Sequence, residues 1–151
     1  MSSPYQPYQP YPQDPSGGYG QPLQGGWDPS QRGYLQGGPV GFGDAISEGF
    51  KNIVTFTGRA SRSAFWWFFI GAIIIDVIGA IIGSAAHAVA IEYILYVIVA
   101  IATLSLAVRR LHDSGKSGFW WLLGFIPVIG TITLIVLYCL PGTPGPNRYD
   151  V

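Results

Sequence analysis

The feature that most constrains this chain is the segment Arg109-Arg110-Leu111-His112-Asp113-Ser114-Gly115-Lys116-Ser117-Gly118, wedged between two apolar runs that can each cross a bilayer. A polar joint between such runs fixes where the chain must return to water, and its basic residues fix which side that water is on. Composition agrees: 49% of the residues are hydrophobic and only 11% are charged, with the charges falling almost entirely outside the apolar runs. A net charge of zero, without a basic stripe interleaved with aromatics, gives no reason to expect nucleic acid as a partner. The single cysteine, Cys139, lies inside an apolar run and reads as a small apolar side chain. No basic stretch followed by an apolar one opens the chain, so a cleaved signal peptide is not expected.

Residues 1–42 are rich in Pro, Tyr, Gln and Gly and hold too little aliphatic surface to offset the entropy of ordering, which predicts a disordered tail. Pro4, Pro7 and Pro10 alternate with Tyr5, Tyr8 and Tyr11 at the polyproline II period. That pattern suits an aromatic-lined docking groove and equally a soluble spacer. The remainder, 43–151, reads as one membrane domain. Ile46, Phe50, Ile53 and Val54 recur at helical spacing with Asp44 at the start, predicting a short amphipathic helix over 44–56 lying in the headgroup plane.

The first long run, 64–86, opens with Phe65-Trp66-Trp67-Phe68-Phe69, an aromatic belt suited to the membrane boundary. At ~1.5 Å per residue it can span a hydrocarbon core of ~30 Å. Ala72, Asp76, Gly79, Ala80, Gly83 and His87 share one helical face, which should pack on protein, Gly79 and Gly83 allowing close approach. The second run, 90–108, aligns Glu92, Tyr96, Thr103 and Ala107; with a turn near 87–89 the two helices are antiparallel and Asp76 comes level with about Ala100, within reach of Tyr96 or Thr103. The third run, 119–140, carries Trp120 and Trp121 and then Pro127, which should free the Leu123 carbonyl and kink the helix, with Gly124 and Gly130 giving room. Residues 141–151 are too rich in turn formers to continue it.

These elements make an all-α integral membrane protein: three transmembrane helices, a short interfacial amphipathic helix and a disordered N-terminal tail. Lys51, Arg59 and Arg62 precede the first run, and Arg109, Arg110 and Lys116 lie between the second and third. Positive segments stay inside, so the tail and the 109–118 loop are expected in the cytoplasm and the C-terminal segment outside, unless the third run is a re-entrant hairpin bent at Pro127.

Several ordered blocks carry a family resemblance: Phe56-Thr-Gly-Arg59-Ala-Ser-Arg62-Ser-Ala-Phe-Trp66, Arg109-Arg-Leu-His-Asp-Ser-Gly-Lys-Ser-Gly-Phe-Trp-Trp121, Ile126-Pro-Val-Ile-Gly130, Pro141-Gly-Thr-Pro-Gly145 and Asn147-Arg-Tyr149. Over about residues 44–150 the chain resembles the bacterial inner-membrane family of domain of unknown function 805, the YhaH-like proteins, although Pro146 stands where that family commonly has an acidic residue. The resemblance implies a small polytopic protein of the bacterial inner membrane and brings no established reaction.

Ser114-Gly-Lys-Ser117 superficially ends like a phosphate-binding loop, but position 110, where the first glycine belongs, is Arg110, and no strand precedes it. Arg59, Arg62, Arg109, Arg110 and Lys116 read instead as a basic collar, either a topology signal alone or a site for anionic lipid headgroups, with His112 and Asp113 pairing within the loop or with Arg62. Asp76 stands out because a carboxylate at bilayer depth costs roughly 2.5 to 3.5 kcal/mol on insertion scales. With Glu92, Tyr96 and His87 it reads either as part of a proton or cation path or as a neutral acid hydrogen-bonded across a helix pair. His87 and His112 fall on opposite sides and share no metal, and no serine, histidine and acid are arranged for nucleophilic catalysis. The expectation is a non-enzymatic membrane module without cofactor that binds lipid or partner membrane proteins, its own copies included; the alternative is a small oligomeric proton, ion or solute transporter subunit using Asp76.

Overall fold

The computed structural model describes residues 35–85, 87 and 89–151. Most of the tail, with its Pro-Tyr repeat, lies outside the described residues. The elements are all helical: α1 (Phe42–Lys51), α2 (Arg62–Ala85), α3 (Val89–Asp113), a 3-10 helix (Gly118–Phe125) and α4 (Ile129–Cys139). Two of them, α2 and α3, are long and apolar enough to cross a membrane. With 24 and 25 residues, each is about 36 Å long, more than the ~30 Å hydrocarbon core requires.

Helix α2 starts where Ser61 accepts a hydrogen bond from the Ala64 amide (3.1 Å), satisfying an otherwise orphaned first-turn donor. It pairs with α3 through the stripe of small residues: Ala72 and Gly83 are buried, and Cβ atoms built on Gly79 and Gly83 would press on Leu95 and Glu92. Ala80, expected on that stripe, is exposed. The isoleucines of the other faces, Ile73, Ile74, Ile78 and Ile81 among them, point outward.

Helix α1 is shorter than the expected 44–56, because the Asn52 backbone and side chain both turn back to the Glu48 carbonyl. Its N-cap is Gly41, without a side-chain bond from Asp44. Rather than leaving its apolar stripe to lipid, α1 lays it on α2: Phe42 meets Trp67 edge-on, Phe50 meets Phe68, and Ile46 sits against Gly71. Residues 35–41, assigned to the tail, also dock. The Arg59 amide donates to the Leu35 carbonyl (2.5 Å) and the Val40 amide to the Ser63 hydroxyl (3.0 Å).

Two expectations need correction. Helix α3 runs five residues past Val108, so Arg109, Arg110, His112 and Asp113 are helical and not in a loop. It ends in a glycine cap: Gly115 takes a positive φ of 73°, its amide bonds to the His112 carbonyl and that of Lys116 to Leu111. The Ser-Gly-Lys that mimics a phosphate loop is thus a helix stop. The third run, expected as one helix over 119–140 with a hairpin bent at Pro127 as the alternative, follows the alternative's shape: it is broken into the 3-10 helix and α4, which pack on each other. The reversal spans Ile126 to Val128, where Pro127 lacks a donor and Val128 takes a φ of 62°, uncommon for a β-branched residue. Gly130 lies so close to the Leu123 backbone that a Cβ would overlap it. The Leu123 carbonyl is not freed; it accepts from the Ile126 amide at 2.9 Å. Because the run doubles back, 141–151 lands on the end of the molecule where α2 begins and α3 ends, not on the opposite side.

Candidate functional site

At that end the basic residues gather inward. Arg59, Arg109 and Arg110 are fully buried, Asp113 is 3% exposed and His112 9%. Asp113 sits between two guanidiniums: Arg59 Nε donates to Oδ1 at 2.9 Å and Arg110 Nη1 to Oδ2 at 2.5 Å. The carboxylate gives one oxygen to each guanidinium, and arginine rather than lysine fits here because its planar fork keeps further N–H donors for the groups around it.

The remaining donors go to the returning C-terminal segment. Arg59 donates to the Thr143 carbonyl (2.8 Å), the Gly145 carbonyl (2.9 Å) and Asp150 (3.1 Å). Arg110 donates to the Tyr138 carbonyl (2.9 Å) and, closely, to that of Leu140, both on the last turn of α4. Those carbonyls are left without intrahelical donors at a helix end, so the guanidinium caps α4 as well as pairing with Asp113. The Thr143 amide and hydroxyl both donate to the Asp113 backbone carbonyl (2.7 and 3.0 Å), and Asn147 donates to that of His112 (2.9 Å). Tyr149 lies flat on the His112 ring, centroids 3.8 Å apart and planes 1° from parallel. His112 Nδ1 is 3.3 Å from the Gly58 carbonyl. A Cβ on Gly142 would fall 2.3 Å from Asp113 Oδ2, so only glycine lets the segment pass over the carboxylate.

The structure therefore joins Arg59, Arg110, His112 and Asp113 of the expected collar, buries Arg109 beside them with its carbonyl accepting from the Ala60 amide (3.0 Å), and separates two others. Arg62 is exposed at the start of α2, and Lys116 is half-buried in the glycine cap. The pairing expected within the loop is present for Arg110 with Asp113, but the cross-chain partner is Arg59 and not Arg62. Thr143, Asn147, Tyr149 and Asp150 were not singled out by chemistry. For Thr143, Asn147 and Tyr149 the only signal lay in the C-terminal blocks of the family resemblance, and Asp150 lies outside those blocks.

The expected intramembrane polar group forms a second locus. Asp76, Glu92 and Tyr96, with Gly79, Tyr93 and Leu95, line a cavity of ≈ 200 Å³ between α2 and α3. Asp76 and Tyr96 face the same cavity, whereas the Thr103 hydroxyl donates to the Val99 carbonyl (2.8 Å) within its own helix. One Asp76 carboxylate oxygen is buried without a hydrogen-bond partner among the described residues. His87, at a φ of 51°, is exposed in the connection between the two helices.

A pair of bilayer-length helices, a doubled-back hairpin and a buried ionic knot at one end define a small all-helical membrane protein. The chain belongs to the family described as Protein of unknown function (DUF805), which matches residues 53–151. It is 46% identical over 104 residues to the Inner membrane protein YhaI of Escherichia coli strain K12, covering 66% of this chain and 86% of that one. To the Inner membrane protein YhaH of the same strain it is 35% identical over 105 residues, covering 66% and 87%. These relatives support a bacterial inner-membrane location. No solved structure matches.

Proposed function

We propose that this chain is a non-enzymatic module of the bacterial inner membrane that associates with other membrane proteins, first of all a second copy of itself, through its doubled-back hairpin. The supporting observation is the exposed reversal at Ile126–Val128. The 3-10 helix has 8 residues and α4 has 11; at ~2.0 and ~1.5 Å per residue both are about 16 Å long, half the hydrocarbon thickness. A hairpin of that depth carries irregular backbone to the bilayer middle, where it is tolerated only when protein or enclosed water covers it. Phe125, Ile126, Val128 and Ile129 at its tip are exposed, so the cover must come from another chain.

In this reading α2 and α3 are the two full spans and the third run is re-entrant. The basic end faces the cytoplasm by the positive-inside bias, and the segment before α1 and the C-terminal segment lie there too. Headgroup binding narrows to Arg62 and Lys116, because Arg59, Arg109 and Arg110 are turned inward. His112 is engaged by the Gly58 carbonyl and the Tyr149 ring. The test is cysteine crosslinking in native membranes, with Cys139 changed to serine and single cysteines placed at Phe125 or Ile126. Dimers trapped at these positions and not at Ile74 are expected. Monomers throughout, confirmed by stepwise photobleaching, defeat the proposal.

The alternative, a transporter subunit, draws on the cavity at Asp76. Reconstituted flux abolished by Asp76→Asn would favour it over the interaction reading.

A further inference from the structure

The α2–α3 cavity takes no part in the ionic knot or the hairpin. We propose that it binds a small organic ammonium ion. Two carboxylates, Asp76 and Glu92, line a space of ≈ 200 Å³ together with the rings of Tyr93 and Tyr96 and the apolar Leu95. One buried Asp76 oxygen has no hydrogen-bond partner among the described residues. The ion pairs among the described residues leave Asp76 and Glu92 aside: Arg59 and Arg110 pair with Asp113, Arg59 also with Asp150, and Lys51 with Glu48. When either carboxylate is ionised, the neutralising charge is the bound cation itself.

The lining chooses among cations. Hard divalent ions want six or more oxygen ligands, and no three His, Cys, Asp or Glu side chains are grouped to hold a metal among the described residues. Tyrosine faces attract alkylated ammonium through the ring quadrupole while their edges and Leu95 cover its carbons, and the carboxylates neutralise it. An ammonium of a few carbons matches both volume and chemistry. The inference deepens the transport reading by naming the ligand class, resting on it only for the importance of Asp76.

The test uses full-length protein in nanodiscs of phosphatidylglycerol, which contributes no ammonium group, titrated calorimetrically with tetramethylammonium. Saturable binding is expected. Asp76→Asn and Tyr96→Ala should each weaken it about tenfold, and Tyr96→Phe, which keeps the ring, should hold it within about twofold. Tyr96 is exposed, so Tyr96→Ala keeps the test decisive if Asp76→Asn fails to fold. Binding that is absent in the wild type, unchanged in both variants, or seen for Mg²⁺ in place of tetramethylammonium overturns the proposal. With binding present, repeating the titration in discs containing phosphatidylethanolamine identifies the source: competition points to a lipid ammonium headgroup, unchanged affinity to a free amine. Binding without flux in sealed vesicles upholds the site and ends the transport reading.

Discussion

The two ends of the α2–α3 pair handle charge in opposite ways. At the basic end Arg59, Arg110 and Asp113 are almost fully buried, yet each guanidinium finds a carboxylate and several carbonyls, because the C-terminal segment returns to supply them. Toward the other end Asp76 and Glu92 line a cavity among glycines and tyrosines, and nothing described is brought to Asp76 as a counter-charge. Burial therefore does not by itself tell a charge that the fold satisfies from one that it leaves open. What separates them is whether the chain spends other residues on satisfying the group.

Substitutions can break that contrast, and the largest effect belongs to the knot. Asp113→Ala leaves two buried guanidiniums without their carboxylate and is expected to cost about 3–5 kcal/mol, read as a lowered midpoint in SDS-driven unfolding. Gly142→Ala pushes a methyl group against a carboxylate held by two arginines, so the Asp cannot swing aside. A loss of about 1–3 kcal/mol by the same assay is expected, with the α4 end loosened first in hydrogen exchange. Asp76→Asn should act in the opposite direction, raising stability by about 1 kcal/mol in detergent without added amine, since it removes a carboxylate the fold does not satisfy. If it destabilises as Asp113→Ala does, the distinction between the two ends fails. Tyr149→Ala removes the ring stacked on His112 and should cost about 0.5–1.5 kcal/mol. Smallest of all, Lys51→Ala breaks an exposed pair with Glu48 (2.8 Å) and should leave the midpoint unmoved.

Helix existence was legible from the apolar runs, and the facing of Gly79 and Gly83 from their spacing. The end of α3 was not. Arg109 and Arg110 mark a membrane boundary and their polarity points to a loop, although the i to i+3 pairing of Arg110 with Asp113 and the buried Leu111 continue the helix as far as the Gly115 cap. The third run has the length of a span, and Pro127 advertised a bend, but a reversal depends on Gly130 meeting the Leu123 backbone, a contact no spacing rule encodes. That reversal also hid the knot. Arg59 and Thr143 become neighbours only once the run doubles back, so the collar looked like a surface when it was half of an interior.

The order of synthesis gives the knot a second consequence. Arg59 and Arg110 emerge from the ribosome well before the groups that later enclose them, Thr143, Gly145 and Asp150 around Arg59 and the Tyr138 and Leu140 carbonyls around Arg110. During insertion they are bare cations able to hold their flank on the side of translation, and only residues made later convert them from an address label into a clasp.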